Sequence, residues 1–156
     1  MPFAVDDIVQ RSMAKWPDVP DVYGWLSLDR RGNWLLKGER IGNAALRDFI
    51  ARNYACDARG RWFFQNGPQR VFIALAYTPL VIHLEGEKLV DHCGKPYRLR
   101  RAYLDDEGSV LLQAEGVIGL LDDRDLARFA DRKLDLQPVA RAAVPGQFGF
   151  VAVPAP

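Results

Sequence analysis

Apolar positions recur along this chain at two periods, and each period marks a different kind of element. Val5, Ile8, Val9, Met13 and Trp16 repeat at helical spacing until Pro17 stops them. The segment Trp16-Pro17-Asp18-Val19-Pro20 then reads as a rigid connector, because each proline fixes its own φ and disfavours helix at the residue before it. Tyr23 to Leu28 alternates as a strand. After Ile41-Gly42, Asn43 is placed to cap a helix from Ala44 to about Asn53 that buries Leu46, Phe49 and Ile50. Gln69 to Tyr77 is apolar on both faces and predicts a central strand, which Thr78-Pro79 breaks. Leu80 to Glu85 alternates again and puts His83 on its more polar side. Glu87 to Asp91 and Pro96 to Tyr103 flank Gly94-Lys95-Pro96 as a hairpin, and a third helix runs from about Asp123 to Arg132, capped by Asp122 or Asp123. Beyond an Ala, Pro and Gly connector from Pro138 to Gly146, Phe148 to Val153 reads as a strand that returns to the sheet.

One pattern occurs twice. Leu28, Asp29, Gly32, Leu35, Leu36, Ile41, Gly42, Leu46 and Phe49 match Leu104, Asp105, Gly108, Leu111, Leu112, Ile118, Gly119, Leu126 and Phe129 once short gaps are allowed. Each copy begins with Asp-x-x-Gly, a hairpin tip in which Asp bonds the following backbone and Gly takes positive φ. Asp57-Ala58-Arg59-Gly60 repeats the tip without the helix. The pattern predicts a duplicated unit, with residues 1–22 as helix and connector, 23–86 as a first repeat half and 87–156 as a second, all in one compact domain. The expected fold is α+β: a predominantly antiparallel, strongly bent sheet or partial barrel with three short helices.

Composition changes this picture little. The 156 residues suffice for a core without staples, and a net charge of +1 gives no global attraction to nucleic acid or anionic membrane. No leader pattern and no apolar run of about 20 residues is present, so a cytoplasmic protein without a membrane span is expected. Cys56 and Cys93 lack metal-ligand spacing and read as free thiols.

The chemistry that stands out is cationic and aromatic. Arg30, Arg31, Trp34, Lys37 and Arg40 lie near Arg59, Arg61, Trp62 and Arg70 in the first half, whereas the second copy carries Asp106, Glu107, Asp122 and Asp123. If the first two hairpins pack side by side, Trp34, Arg40, Arg61, Trp62 and Arg70, with the helix start at Asn43, form a ligand-binding face for an acidic peptide or small anion. A non-enzymatic binding or interaction domain is therefore expected, with no catalytic residue, cofactor or metal assigned. Two other readings stay open. One is a small hydrolase or thiol-dependent enzyme around His83, His92 and Cys93, with His92 and Cys93 on opposite faces of a strand; the other is a single-strand nucleic-acid binder, disfavoured by the near-neutral charge.

The segments Gly32-Asn33-Trp34, Gly38-Glu39-Arg40-Ile41-Gly42, Leu46-Arg47-Asp48-Phe49, Gly60-Arg61-Trp62 and Thr78-Pro79 resemble uncharacterised proteobacterial families of domains of unknown function. The resemblance implies repeated strand-and-helix motifs with a pleckstrin-homology-like character and a signalling or binding role. It supplies no catalytic residues.

Overall fold

The computed structural model describes residues 5–156. The chain divides into two compact units: one holds the residues up to Asp29, Asn33–Ala76 and Phe150–Pro156, the other Arg30–Gly32 and Tyr77–Gly149. Each unit carries one six-stranded sheet.

In the first unit, helix α1 (Asp7–Lys15) precedes β1 (Val22–Leu28), β2 (Trp34–Leu36) and β3 (Glu39–Arg40); helix α2 (Ala44–Arg52) follows, then β4 (Tyr54–Cys56), β5 (Trp62–Asn66) and β6 (Gln69–Leu75). The sheet order is β3-β2-β1-β6-β5-β4, with β6 parallel to β1 and the other neighbours antiparallel. β6 is central, as its apolar run predicts. Helix α2 starts where expected because the Asn43 side chain accepts the Leu46 N–H at 2.9 Å. Register puts Leu26, Leu28, Trp34, Leu36, Phe64, Val71, Tyr54 and Trp62 on one face of this sheet.

The second unit contains β7 (Leu80–Glu85), β8 (Lys88–Asp91), β9 (Arg101–Asp105), β10 (Val110–Ala114), β11 (Val117–Leu121), helix α3 (Leu126–Ala130), β12 (Leu136–Val139) and helix α4 (Val144–Phe148). Its order is β12-β9-β10-β11-β7-β8. Here β7 is parallel to β11 and β12 to β9. The Thr78 hydroxyl joins the first of these pairs, donating to the Leu80 carbonyl at 2.6 Å and accepting the Leu120 N–H at 2.9 Å.

Several expectations are corrected. Seven of the ten strand pairings among the described residues are antiparallel, as expected, but both sheets are mixed, because parallel partners join segments distant in sequence that local pattern does not pair, and neither sheet closes into a barrel. Four α-helices occur among the described residues instead of three. The extra one, α4, takes the place of the expected strand start at Phe148: Pro145 fits its first turn, and Gly149 at φ 71° ends it. Beyond it the tail does return to the first sheet, through the bridge of Val151 to Arg61 and the Leu75 N–H donated to the Ala152 carbonyl at 2.7 Å, but without forming a strand. β8 pairs with β7 and meets the following segment only at Val90 and Pro96.

The Asp-x-x-Gly tip is used four times, not three. Asp29, Asp57, Asp91 and Asp105 each accept backbone N–H groups of their own turn, and Gly32, Gly60, Gly94 and Gly108 all have positive φ. Both copies of the longer pattern form a three-stranded meander followed by a helix. The meanders extend differently, however: the first strand of one, β1, continues the sheet to β6, whereas β9–β11 gains strands at both ends. The strand orders therefore do not confirm a duplicated unit; the part of the pattern that recurs is the turn.

Candidate functional site

An apolar concavity of the first unit lies under α2, at the sheet end that carries the β2–β3 and β5–β6 turns. It has a volume of about 360 Å³ and is lined by Val22, Trp25 and Leu26 of β1, Leu36 of β2, Ile41, Leu46 and Ile50 around α2, and Phe64, Asn66, Gln69 and Val71 of β5 and β6. Leu26 and Ile50 are buried and form its floor, while Trp25, Leu36 and Leu46 remain 52%, 46% and 41% exposed. Pockets for small ligands have this size and composition, with few polar groups among many apolar ones.

Local backbone explains how Trp25 comes to line it. Strand alternation would set Trp25 and Leu26 on opposite faces, but β1 slips register against β6 between Val22 and Leu26, and Gly24 sits inside that slip at φ 78°. Such bulges re-aim side chains. Across from Trp25 is the β2–β3 turn, where Lys37 and Gly38 both have positive φ, 50° and 84°. The Lys37 N–H donates to the Trp25 carbonyl at 2.7 Å, and its ammonium lies 4.2 Å from the indole centroid.

The residues expected to bind are distributed otherwise. Trp34 and Trp62 are 2% and 3% exposed and flank Tyr54 at 4.9 and 4.8 Å between ring centroids, so they form core under α2's face of the sheet. Arg61 and Arg70 belong to the opposite face, where they cover Phe72 at 4.5 Å and Phe63 at 3.8 Å; Arg61 also pairs with Asp57 at 2.8 Å. Asn43 caps α2, and Arg40 is exposed on edge strand β3. The structure thus separates the tryptophans from the arginines. None of the broader cationic cluster lines the apolar cleft; Lys37 is linked to it through the indole of Trp25. Sequence reasoning passed over Trp25 and Leu36, although Gly24 directly before two large apolar residues was a usable bulge signal.

The histidines lie in the second unit. His92 and Cys93 are in the Asp91–Gly94 turn, not in a strand, and the His92 Nδ1 accepts the Val81 N–H at 3.1 Å. Burial, with the Asp91 charge adding, pushes the Cys93 thiol far above its ordinary value, so it is not a thiolate near neutrality. Both cysteines are free. His83 is half-buried on β7, with Nδ1 3.0 Å from the Asp122 carboxylate. Ligand atoms of His83, Asp122 and Asp125 lie within 4.8 Å of one another, a geometry that could converge on a cation. Yet Arg124 already pairs with Asp122 and Arg128 with Asp125, so their charge is spent within the fold.

Burial raises the Asp122 carboxyl, but the Arg124 side chain and N–H outweigh it, with His83 adding, and hold it down to about 2. A carboxylate lowered from its unfolded value contributes stability above about pH 4 that is lost as pH falls toward the folded value. Between pH 5 and pH 2 the wild type should therefore lose about 2 kcal/mol more than Asp122→Asn. Denaturant unfolding at both pH values checks this; parallel losses in the two proteins would contradict it.

The fold is thus that of an α+β protein with one mixed sheet in each unit, and the first unit holds an apolar cleft. The chain belongs to the family described as "Protein of unknown function (DUF2946)", whose model matches residues 5–155. Among solved structures it is similar in fold to a DUF1285 family protein from Silicibacter pomeroyi DSS-3, at 16% identity and TM-score 0.54 over 82% of this chain and 85% of that one. It is also similar to a DUF1285 family protein from Shewanella baltica OS155, at 19% identity and TM-score 0.52 over 69% and 91% of the two chains. Both sources are proteobacteria, in keeping with the resemblance read from the sequence. No curated protein matches the chain. Among the described residues, no helix is long and apolar enough to cross a membrane.

Proposed function

We propose that this protein is a non-enzymatic binding domain and that its ligand site is the cleft of the first unit. The observation that carries this reading is the cleft itself: about 360 Å³ of apolar concavity in which Trp25, Leu36 and Leu46 stay exposed on a packed floor. Exposed apolar side chains grouped in a concavity gain by covering, whereas the same side chains scattered over a surface need no explanation. Stacking of nucleic-acid bases is poorly supported, because Trp34 and Trp62 are core. A thiol mechanism fares no better with the Cys93 thiol kept protonated.

The test uses an uncharged apolar probe. Decan-1-ol should bind saturably in titration calorimetry, and the double variant Leu36→Gln, Leu46→Gln should weaken it about tenfold or more, since each change removes apolar contact. Both leucines are exposed, so the variant should still unfold cooperatively near the wild-type midpoint. Equal affinity in a folded variant would reject the site.

A further inference from the structure

We infer that the occupant of this cleft is a single extended aliphatic chain ending in a carboxylate, with the carboxylate beside Lys37. This rests on the cleft being the ligand site and adds the ligand's shape, charge and direction.

Shape comes from the sheet. The lining strands β2, β1, β6 and β5 are consecutive neighbours, so a ligand crossing them spans about 14 Å at the usual strand spacing. Spread over that length, a volume of about 360 Å³ leaves a mean cross-section of roughly 25 Å². An α-helix, about 10 Å across with its side chains, is much too thick. A polymethylene chain fits.

Direction comes from the ends. At the β5–β6 side the lining groups are Asn66 and Gln69, both uncharged. On the β1–β2 side the lining groups include Trp25 and Leu36, and the Lys37 ammonium lies 4.2 Å from the Trp25 indole centroid. Lys37 reaches that position from a left-handed backbone conformation, φ 50°, that side chains with a Cβ seldom adopt, and its N–H is bonded to Trp25. Both central positions of a two-residue hairpin loop take positive φ, so the turn itself holds Lys37 in that conformation. One opposing charge is close: Glu39 pairs with Leu36 and projects on the same face of the sheet. A carboxylate head therefore gains from Lys37 and loses to Glu39.

Calorimetry with decanoate and decan-1-ol, both below micelle formation, separates these contributions. Decanoate should bind about fivefold more tightly than the alcohol, the size of one solvent-exposed charge contact. Lys37→Gln should abolish that preference, and Glu39→Gln should increase it, each read as the ratio of the two affinities within the variant. Equal affinities for the two probes in the wild type, both still weakened by the Leu36→Gln, Leu46→Gln pair, would overturn the head-group assignment while leaving the cleft as the site. Failure of both probes to bind would overturn the cleft as well.

Discussion

Trp34→Ala should lower the stability of the protein by about 3–5 kcal/mol, the range for truncating a buried aromatic side chain. Its indole is 2% exposed and meets Tyr54 edge-on, while Tyr54 in turn leans on Trp62. All three belong to the face of the sheet that α2 covers, so removal of the Trp34 ring leaves a void that Tyr54 and Trp62, fixed on two other strands, cannot fill. Arg40→Ala, at an exposed edge position, should change stability by no more than about 0.5 kcal/mol. Urea unfolding of the two single variants measures both effects. A loss below about 1 kcal/mol for Trp34→Ala would show that the indole is not core.

Gly32→Ala should cost about 2–5 kcal/mol, adding a left-handed backbone penalty to an overpacking penalty. Gly32 has φ +86°, and a Cβ there would lie 2.7 Å from the His92 Cβ and 3.2 Å from the His83 Nε2. The first of these neighbours is fixed to the backbone of its turn and cannot swing away. Gly108 offers the comparison within the same chain, because it holds the same place in its turn at φ +83° with nothing within 4 Å of an added Cβ. Gly108→Ala should therefore show the backbone penalty alone, about 1–2 kcal/mol. Similar losses in the two variants would mean that the approach of the histidines to Gly32 carries no energetic weight.

That pair of glycines also shows what local sequence could reveal. The requirement for positive φ was legible in Asp-x-x-Gly, because the turn is specified by four adjacent residues. The crowding at Gly32 was not, since His83 and His92 come from remote segments. Similarly, the Asn43 cap, the central strand β6 and the exact run of β7 followed from local chemistry and period. Parallel pairing of β6 with β1 and of β7 with β11 did not, as nothing in a strand's own sequence names a distant partner.

The site was legible only in part, for a related reason. Grouping Trp34 and Trp62 with Arg61 and Arg70 needs a register, and the observed register turns the tryptophans and the arginines to opposite faces. Lys37 was within view as one of many cations. What singles it out is the bulge at Gly24, which brings Trp25 to the cleft, and the turn that sets the Lys37 ammonium over the Trp25 indole.

The cleft as ligand site is tested most directly by amide NMR of the labelled protein titrated with decan-1-ol. Saturable shifts should concentrate at Trp25, Leu26, Leu36, Ile41, Leu46 and Phe64, which line the cleft. Saturable shifts confined to the second unit, around His83 and Asp122 or Arg100 and Tyr103, or no shifts at all, would contradict the account.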